Sequence, residues 1–250
     1  MSWQNYKDKI KRYFWFSGKE LNELMLLSLA FAFIFSFNEW GAVTFDAAAG
    51  IKNLLVAFII AVISLLAHHS AQRLLSLYAG LRPEHRIWWP GVLIGLIFVL
   101  ISNGKIMILA GCFVAITALE AHRIGRPKSG PTLRAWGYVA MIGPLVNIAL
   151  AVIIQAVNLS IGSAILSKFV LFNFLFAVYS TLPFPPLDGS RMFFASRLTY
   201  SLFAGAIYSY LIMTYAFGLS WISSILYAGI IGIICFIVFF IVFERESWSL

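Results

Sequence analysis

The run from Trp221 to Phe243, WISSILYAGIIGIICFIVFFIVF, carries no charged side chain. About 20 apolar residues in helical form cross the hydrocarbon layer of a bilayer, so a run of this kind restricts the chain to folds that use lipid as part of their solvent. Five more segments have the same character: Leu21 to Phe37, Leu54 to Leu77, Trp136 to Val157, Ala164 to Leu182 and Tyr200 to Phe217. With 61% hydrophobic and 11% charged residues and a mean hydropathy of +0.90, the chain as a whole lies outside the range of soluble domains. The expectation is an all-α polytopic membrane protein of about six transmembrane helices, forming a single membrane domain over residues 1–250. No short apolar segment with a small-residue cleavage site follows the N-terminus, so the first span is expected to do the targeting.

Charge placement gives an orientation. The net charge is +8, but the basic residues stand at the ends of apolar runs, where they set topology; this argues against nucleic acid as a partner and for membrane lipid. With a cytoplasmic N-terminus, six spans put every Lys and Arg on the cytoplasmic side except Lys52 and Lys168, and the C-terminus is cytoplasmic as well. Residues 1–20 mix Lys and Arg with Trp, Tyr and Phe, the composition of a segment lying on the lipid surface. Ser17 and Glu20 in SGKE form a capping-box pattern that marks where the first span begins. Cys112 and Cys235 sit in apolar runs without metal-ligand spacing.

Between the second and third spans, Asn103-Gly104 is a two-residue hairpin signal, because a type I′ turn needs positive φ at both positions. It predicts a re-entrant β-hairpin of Phe98–Ser102 with Lys105–Leu109, on the cytoplasmic side; the alternative is a pair of helices broken at Asn103. A hairpin at membrane depth needs something to satisfy its outer edge, and an extended peptide could do so.

The chemistry-bearing residues are few. In AHHSAQRL, His68 and Gln72 share a helix face at i and i+4, while His69 is rotated from His68 by about 100°. The prolines of FNFLFAVYSTLPFPPLDGSR stop the fourth span just before Asp188. By the span count, His68 and Asp188 both arrive at the cytoplasmic face, and they are expected within about 6 Å of each other, the reach over which charges or a shared ion couple. Each has a plainer role as well: Asp188 as a turn or cap residue, the histidines as interfacial groups. His85 and His122, among basic residues, are read as interfacial.

These motifs, with FSGKELNELMLLSLAFAFIF near the start and MIGPLVNIALA in the third span, resemble the site-2 protease family of intramembrane zinc metalloproteases, its archaeal branch above all. The resemblance covers nearly the whole chain and implies a protease-like core over residues 54–191, with the helix pair 200–243 beyond it. It places His68 and Asp188 at metal-ligand positions, Gln72 at the third ligand position and His69 at that of the general base. It also implies that Pro144 and Asn147 help to hold site and substrate, and Asn103 and Gly104 are read as substrate contacts in the hairpin. A glutamine oxygen is a poor zinc ligand beside imidazole, and His69 reaches differently from a glutamate. Zinc is therefore expected to be held weakly or not at all. The reading is a pseudoprotease that binds transmembrane segments or their unwound ends; the alternatives are an active intramembrane zinc metalloprotease with a substituted site and an unrelated channel or carrier.

Overall fold

The computed structural model describes residues 3–41, 44–119 and 132–244. Among them nine α-helices and two strands follow in the order α1 (Trp3–Tyr13), α2 (Gly18–Ser36), α3 (Ala47–Tyr78), β1 (Leu81–Ile87), α4 (Trp89–Ile101), β2 (Cys112–Ala118), α5 (Leu133–Ile161), α6 (Ala164–Ser180), α7 (Asp188–Ala195), α8 (Arg197–Leu211) and α9 (Trp221–Phe239). Single π-helical turns, Ile212–Ala216 and Phe240–Glu244, extend the last two. His122 lies outside the described residues.

Side-chain caps fix the starts of the principal helices, each satisfying amides that a helix leaves open. Ser17 Oγ accepts from the Glu20 amide at 3.3 Å while Glu20 Oε2 accepts from the Ser17 amide at 2.8 Å, so α2 begins at the capping box. Asp46 accepts from the amides of Ala48 and Ala49 at the start of α3, and Thr132 from that of Ala135 at the start of α5.

Among the described residues, three helices are long and apolar enough to cross a membrane: Ala47–Tyr78, Leu133–Ile161 and Trp221–Glu244. The other three expected spans are shorter or more polar. α6 has 17 residues and α8 has 15, against the roughly 20 that a bilayer asks for. α2 carries Lys19, Glu20 and Glu23 in its first turns. Apolar side chains such as Ile222, Leu226, Ile230 and Ile234 face outward from α9, about half exposed, as a lipid-covered surface would have them.

Hydrogen bonds between helices give their directions. Glu20 meets Arg73 near the end of α3, while Asn53 near its start reaches the Glu39 carbonyl beyond α2, so α2 and α3 are antiparallel. Asn173 pairs with Ser64 and Lys168 with Asn53, so α3 and α6 run parallel and end on the same side. Their contact is filled by Phe31, Ala61, Leu65, Phe172 and Phe176, all buried. A second cluster, around Ala151, Phe174, Tyr210 and Ala228, joins α5 and α6 to α8 and α9.

The sheet is real but misplaced in the sequence reading. β1 and β2 pair antiparallel with Leu81 opposite Ala118 and Ile87 opposite Cys112, so the strands flank the segment expected to be the hairpin. Phe98–Ile101 is the last turn of α4. Asn103 and Gly104 do have positive φ, 50° and 75°, but they serve to close that helix. The Gly104 amide bonds back to the Val99 carbonyl at 2.7 Å and the Asn103 amide to that of Leu100 at 3.2 Å, the paired bonds of a Schellman cap. A type I′ turn needs positive φ at both residues and this cap needs it at its first residue beyond the helix, so an Asn-Gly pair satisfies either.

Candidate functional site

α3, α5, α6 and α7 converge on one buried group of polar side chains. His68 and Gln72 stand one turn apart on α3, and both reach the carboxylate at the start of α7: Gln72 Nε2 donates to Asp188 Oδ2 at 2.8 Å, and His68 Nε2 lies 3.1 Å from the same oxygen. On its other side His68 Nδ1 lies 3.0 Å from Asn147 Oδ1 on α5. Asn147 donates in turn to Asn173 Oδ1 on α6 at 3.1 Å, and Asn173 donates to Ser64 Oγ at 2.9 Å and to the Phe169 carbonyl. His68, Gln72, Asn147 and Asn173 are fully buried and Asp188 nearly so. Groups this dry are costly unless paired, so the chain of bonds is what permits them there.

The network sets its own donor directions. Asn147 uses its amide N–H on Asn173, so its oxygen accepts from His68 Nδ1–H. The lone pair of a neutral His68 then faces Asp188 Oδ2, and that contact calls for one more proton or another cation between the two atoms. Gln72 presents N–H to Asp188, which leaves its oxygen to accept from His69 Nδ1–H at 3.3 Å. Asp188 Oδ1 is buried without a partner.

Helix packing lets α5 come this close only because residue 143 is glycine. A Cβ there would stand 2.3 Å from His68 Nε2; Pro144, next in the chain, is buried as well. Arg191, one turn beyond Asp188, donates to the Val114 carbonyl on β2 and lies over the Trp136 ring, which ties α7 to the sheet and to α5.

His69 points away from Asp188 toward the sheet, where its ring lies against that of His85 with centroids 3.7 Å apart. His85 is therefore a buried neighbour of the site on β1, and the interfacial reading is overturned. Burial, with His69 and Arg73 close by, holds its imidazole well below its ordinary pKa, and neither ring nitrogen has a hydrogen-bond partner. The cavity beside the pair, which also reaches Cys112 and Glu23, measures about 10 Å³, room for about one water.

Of the expected site residues, the structure brings together His68, Gln72, Asp188, Asn147 and, one step removed, His69 and Pro144. Asn103 and Gly104 are elsewhere. Gly104 packs on Asn38, beyond the C-terminal end of α2, whereas the site lies toward the end of α3 that meets Glu20 at the N-terminus of α2. The 19 residues of α2 put Gly104 about 28 Å along the bundle from the Glu20–Arg73 pair, so Asn103 and Gly104 are not among the residues gathered around His68 and Asp188. Asn173, Ser64 and His85 were missed. A signal for His85 existed: in LRPEHRI, Leu81, Pro83 and His85 alternate with the more exposed Arg82 and Glu84, the period of a half-buried strand.

Zinc asks for three or four ligand atoms about 2.0–2.2 Å from one point. His68 Nε2 and Asp188 Oδ2 could share an ion. Gln72, however, turns a donor to the same oxygen, and among the described residues no three His, Cys, Asp or Glu side chains come together as a metal site needs. The described side chains around His68 and Asp188 do not complete a zinc site.

A Methanocaldococcus jannaschii protein, provisionally named a zinc metalloprotease, is 27% identical over 184 residues, which span 72% of this chain and 85% of that protein. No family model matches the chain, and no solved structure gives a significant match. The similarity supports a metalloprotease-like family.

Proposed function

We propose that the chain is a site-2-protease-like membrane protein whose core holds transmembrane segments of client proteins, or their unwound ends, without cutting them. In this reading α2 and α8, with its π-helical turn, and α6 complete six spans around the three long ones, and both termini are cytoplasmic. One observation carries the proposal: the Gln72 amide donates to the carboxylate oxygen that faces His68, so a hydrogen-bonded network occupies the position where a protease would gather ligands. A cavity of about 270 Å³ between α5, α7 and the start of α8 is lined by Tyr138, Met141 and Met192 together with Arg134, Ser196 and Thr199, a mixed apolar and polar surface that offers contacts to both the side chains and the freed backbone of an unwound client segment.

A second reading has its own support in the relative provisionally named a zinc metalloprotease: an active enzyme with a substituted site. The double substitution His69→Glu with Gln72→His separates the two. On the pseudoprotease reading the parent carries substoichiometric zinc and leaves a transmembrane reporter intact, while the double variant binds about one zinc per chain, because zinc needs the third ligand and water activation the carboxylate. Each single substitution does less. A parent that already holds one zinc and cuts the reporter, losing both on Asp188→Ala, makes the active-enzyme reading correct.

A further inference from the structure

A cavity of about 240 Å³ opens between the turn joining α1 to α2, the later turns of α3 and the outer face of β1. Four cations line it, Lys19, Arg73, Arg82 and Arg86, against two carboxylates, Glu20 and Glu84, an excess of two positive charges. The carboxylates are already committed. Glu20 pairs with Arg73 and accepts from the Ser17 and His85 amides, and Glu84 pairs with Arg86, which also approaches Glu23 at 3.7 Å. Lys19 and Arg82, both exposed, make no ion pair among the described residues.

Two further features favour an anion here. Arg73 is almost wholly buried at the cavity wall, where it pairs with Glu20, donates to the Phe14 and Trp15 carbonyls and keeps its Nε without a partner, so a fixed guanidinium donor group backs the site. The rim also includes the beginning of α2 at Ser17 and Lys19; the capping box takes the Ser17 and Glu20 amides, and the remaining first-turn N–H groups carry the positive end of the helix, which favours anions. A solvated basic face would not need a buried arginine under it.

Position selects the kind of anion. Trp15 stands at the rim, 77% exposed, and Trp3 on the adjoining helix is 66% exposed, while Tyr6 fastens α1 to the last turns of α3 through the Leu74 carbonyl. Exposed tryptophans next to basic side chains, at the end of an apolar helix, mark the headgroup level of a bilayer. We propose that this cavity binds the phosphate of an anionic phospholipid headgroup, with Lys19 and Arg82 as its direct partners and Arg73, held by Glu20, as the buried guanidinium that shapes the wall behind them.

The test uses the full chain in neutral detergent and follows its thermal unfolding by tryptophan fluorescence. Short-chain phosphatidylglycerol, phosphatidylcholine of the same chain length and inorganic phosphate are titrated separately, on the parent and on the double variant Lys19→Gln/Arg82→Gln. Both positions are exposed, so the variant is expected to fold, and circular dichroism checks it. The expected result is a saturable rise in midpoint with phosphatidylglycerol only, its half-saturation weakened at least about tenfold in the variant. Equal shifts with phosphatidylcholine, or an undiminished response in the variant, would overturn the site. Inorganic phosphate saturating at lower concentration than the lipid, with the same dependence on Lys19 and Arg82, would overturn the lipid as the ligand.

Discussion

His68 is held from three sides: Asn147 on Nδ1, Asp188 on Nε2, and the bare backbone of Gly143 where any other residue would place a carbon. A methyl group 2.3 Å from Nε2 cannot be absorbed by moving the tip of a flexible chain, because both ring nitrogens are engaged. Gly143→Ala is therefore expected to cost about 1–3 kcal/mol, as overpacking of a filled core does. The cost should be smaller in a His68→Ala background, which removes the ring that the methyl meets; contacts of this kind give non-additive pairs. Thermal unfolding in detergent of the parent, both singles and the double measures the coupling. Strict additivity would mean that Gly143 serves something other than room for His68. Much of this residue-scale geometry was legible beforehand, since i and i+4 put His68 and Gln72 on one face and the prolines before Asp188 brought it back toward them. The direction of the Gln72 amide was not legible, nor was Asn173, because both depend on which partners three other helices supply.

At the scale of elements, Glu20 shows how a local signal takes on a tertiary task. In the sequence it reads as half of a capping box; in the fold the same carboxylate also pairs with buried Arg73 and receives the His85 amide at the outer edge of β1. Glu23 likewise receives the Ile87 amide at 3.1 Å, so α2 covers an edge that would otherwise present open donors. The two roles of Glu20 differ in size. Ser17→Ala removes only a cap and should cost about 0.5–2 kcal/mol. Glu20→Ala leaves a buried guanidinium without its partner and should cost about 3–5 kcal/mol. Comparable small losses in unfolding midpoint for both variants would mean that Arg73 is compensated by the Phe14 and Trp15 carbonyls alone. The strands themselves escaped the sequence reading for a related reason. Alternation in LRPEHRI and CFVAITA was present, but both segments lie beside apolar or basic runs whose helix and topology signals are stronger, and the Asn-Gly pair drew the turn to the wrong place.

For the molecule as a whole, the two ends of the helix bundle have different chemistry, and this is what span counting could predict and packing now refines. At one end lie α1, the sheet, α7 and the site; at the other, Lys168 pairs with Glu39 at 2.6 Å beside Asn53, and the turn at Gly162 joins α5 to α6. Lys168, one of the two lysines that charge bias assigned to the outside, is thus neutralised by a local acid, so it does not oppose the orientation as a free cation would; Lys105, which the span count put on the cytoplasmic side, stands instead at this end, next to Gly104 on Asn38. The orientation makes a definite prediction. In a chain cleared of native thiols by Cys112→Ala and Cys235→Ala, Ser160→Cys near the α5–α6 turn should react with a membrane-impermeant maleimide added to intact cells. Lys11→Cys on α1 should react only after the membrane is opened. Both positions are exposed in the fold, so labelling reads the side of the membrane and not burial. The reverse pattern would invert the molecule and carry the His68–Asp188 network with it to the outer face. Labelling of both positions in intact cells would put the two ends of the bundle on one side of the membrane and overturn the spanning of α5, the helix that, among the described residues, leads from the α7 end to Gly162.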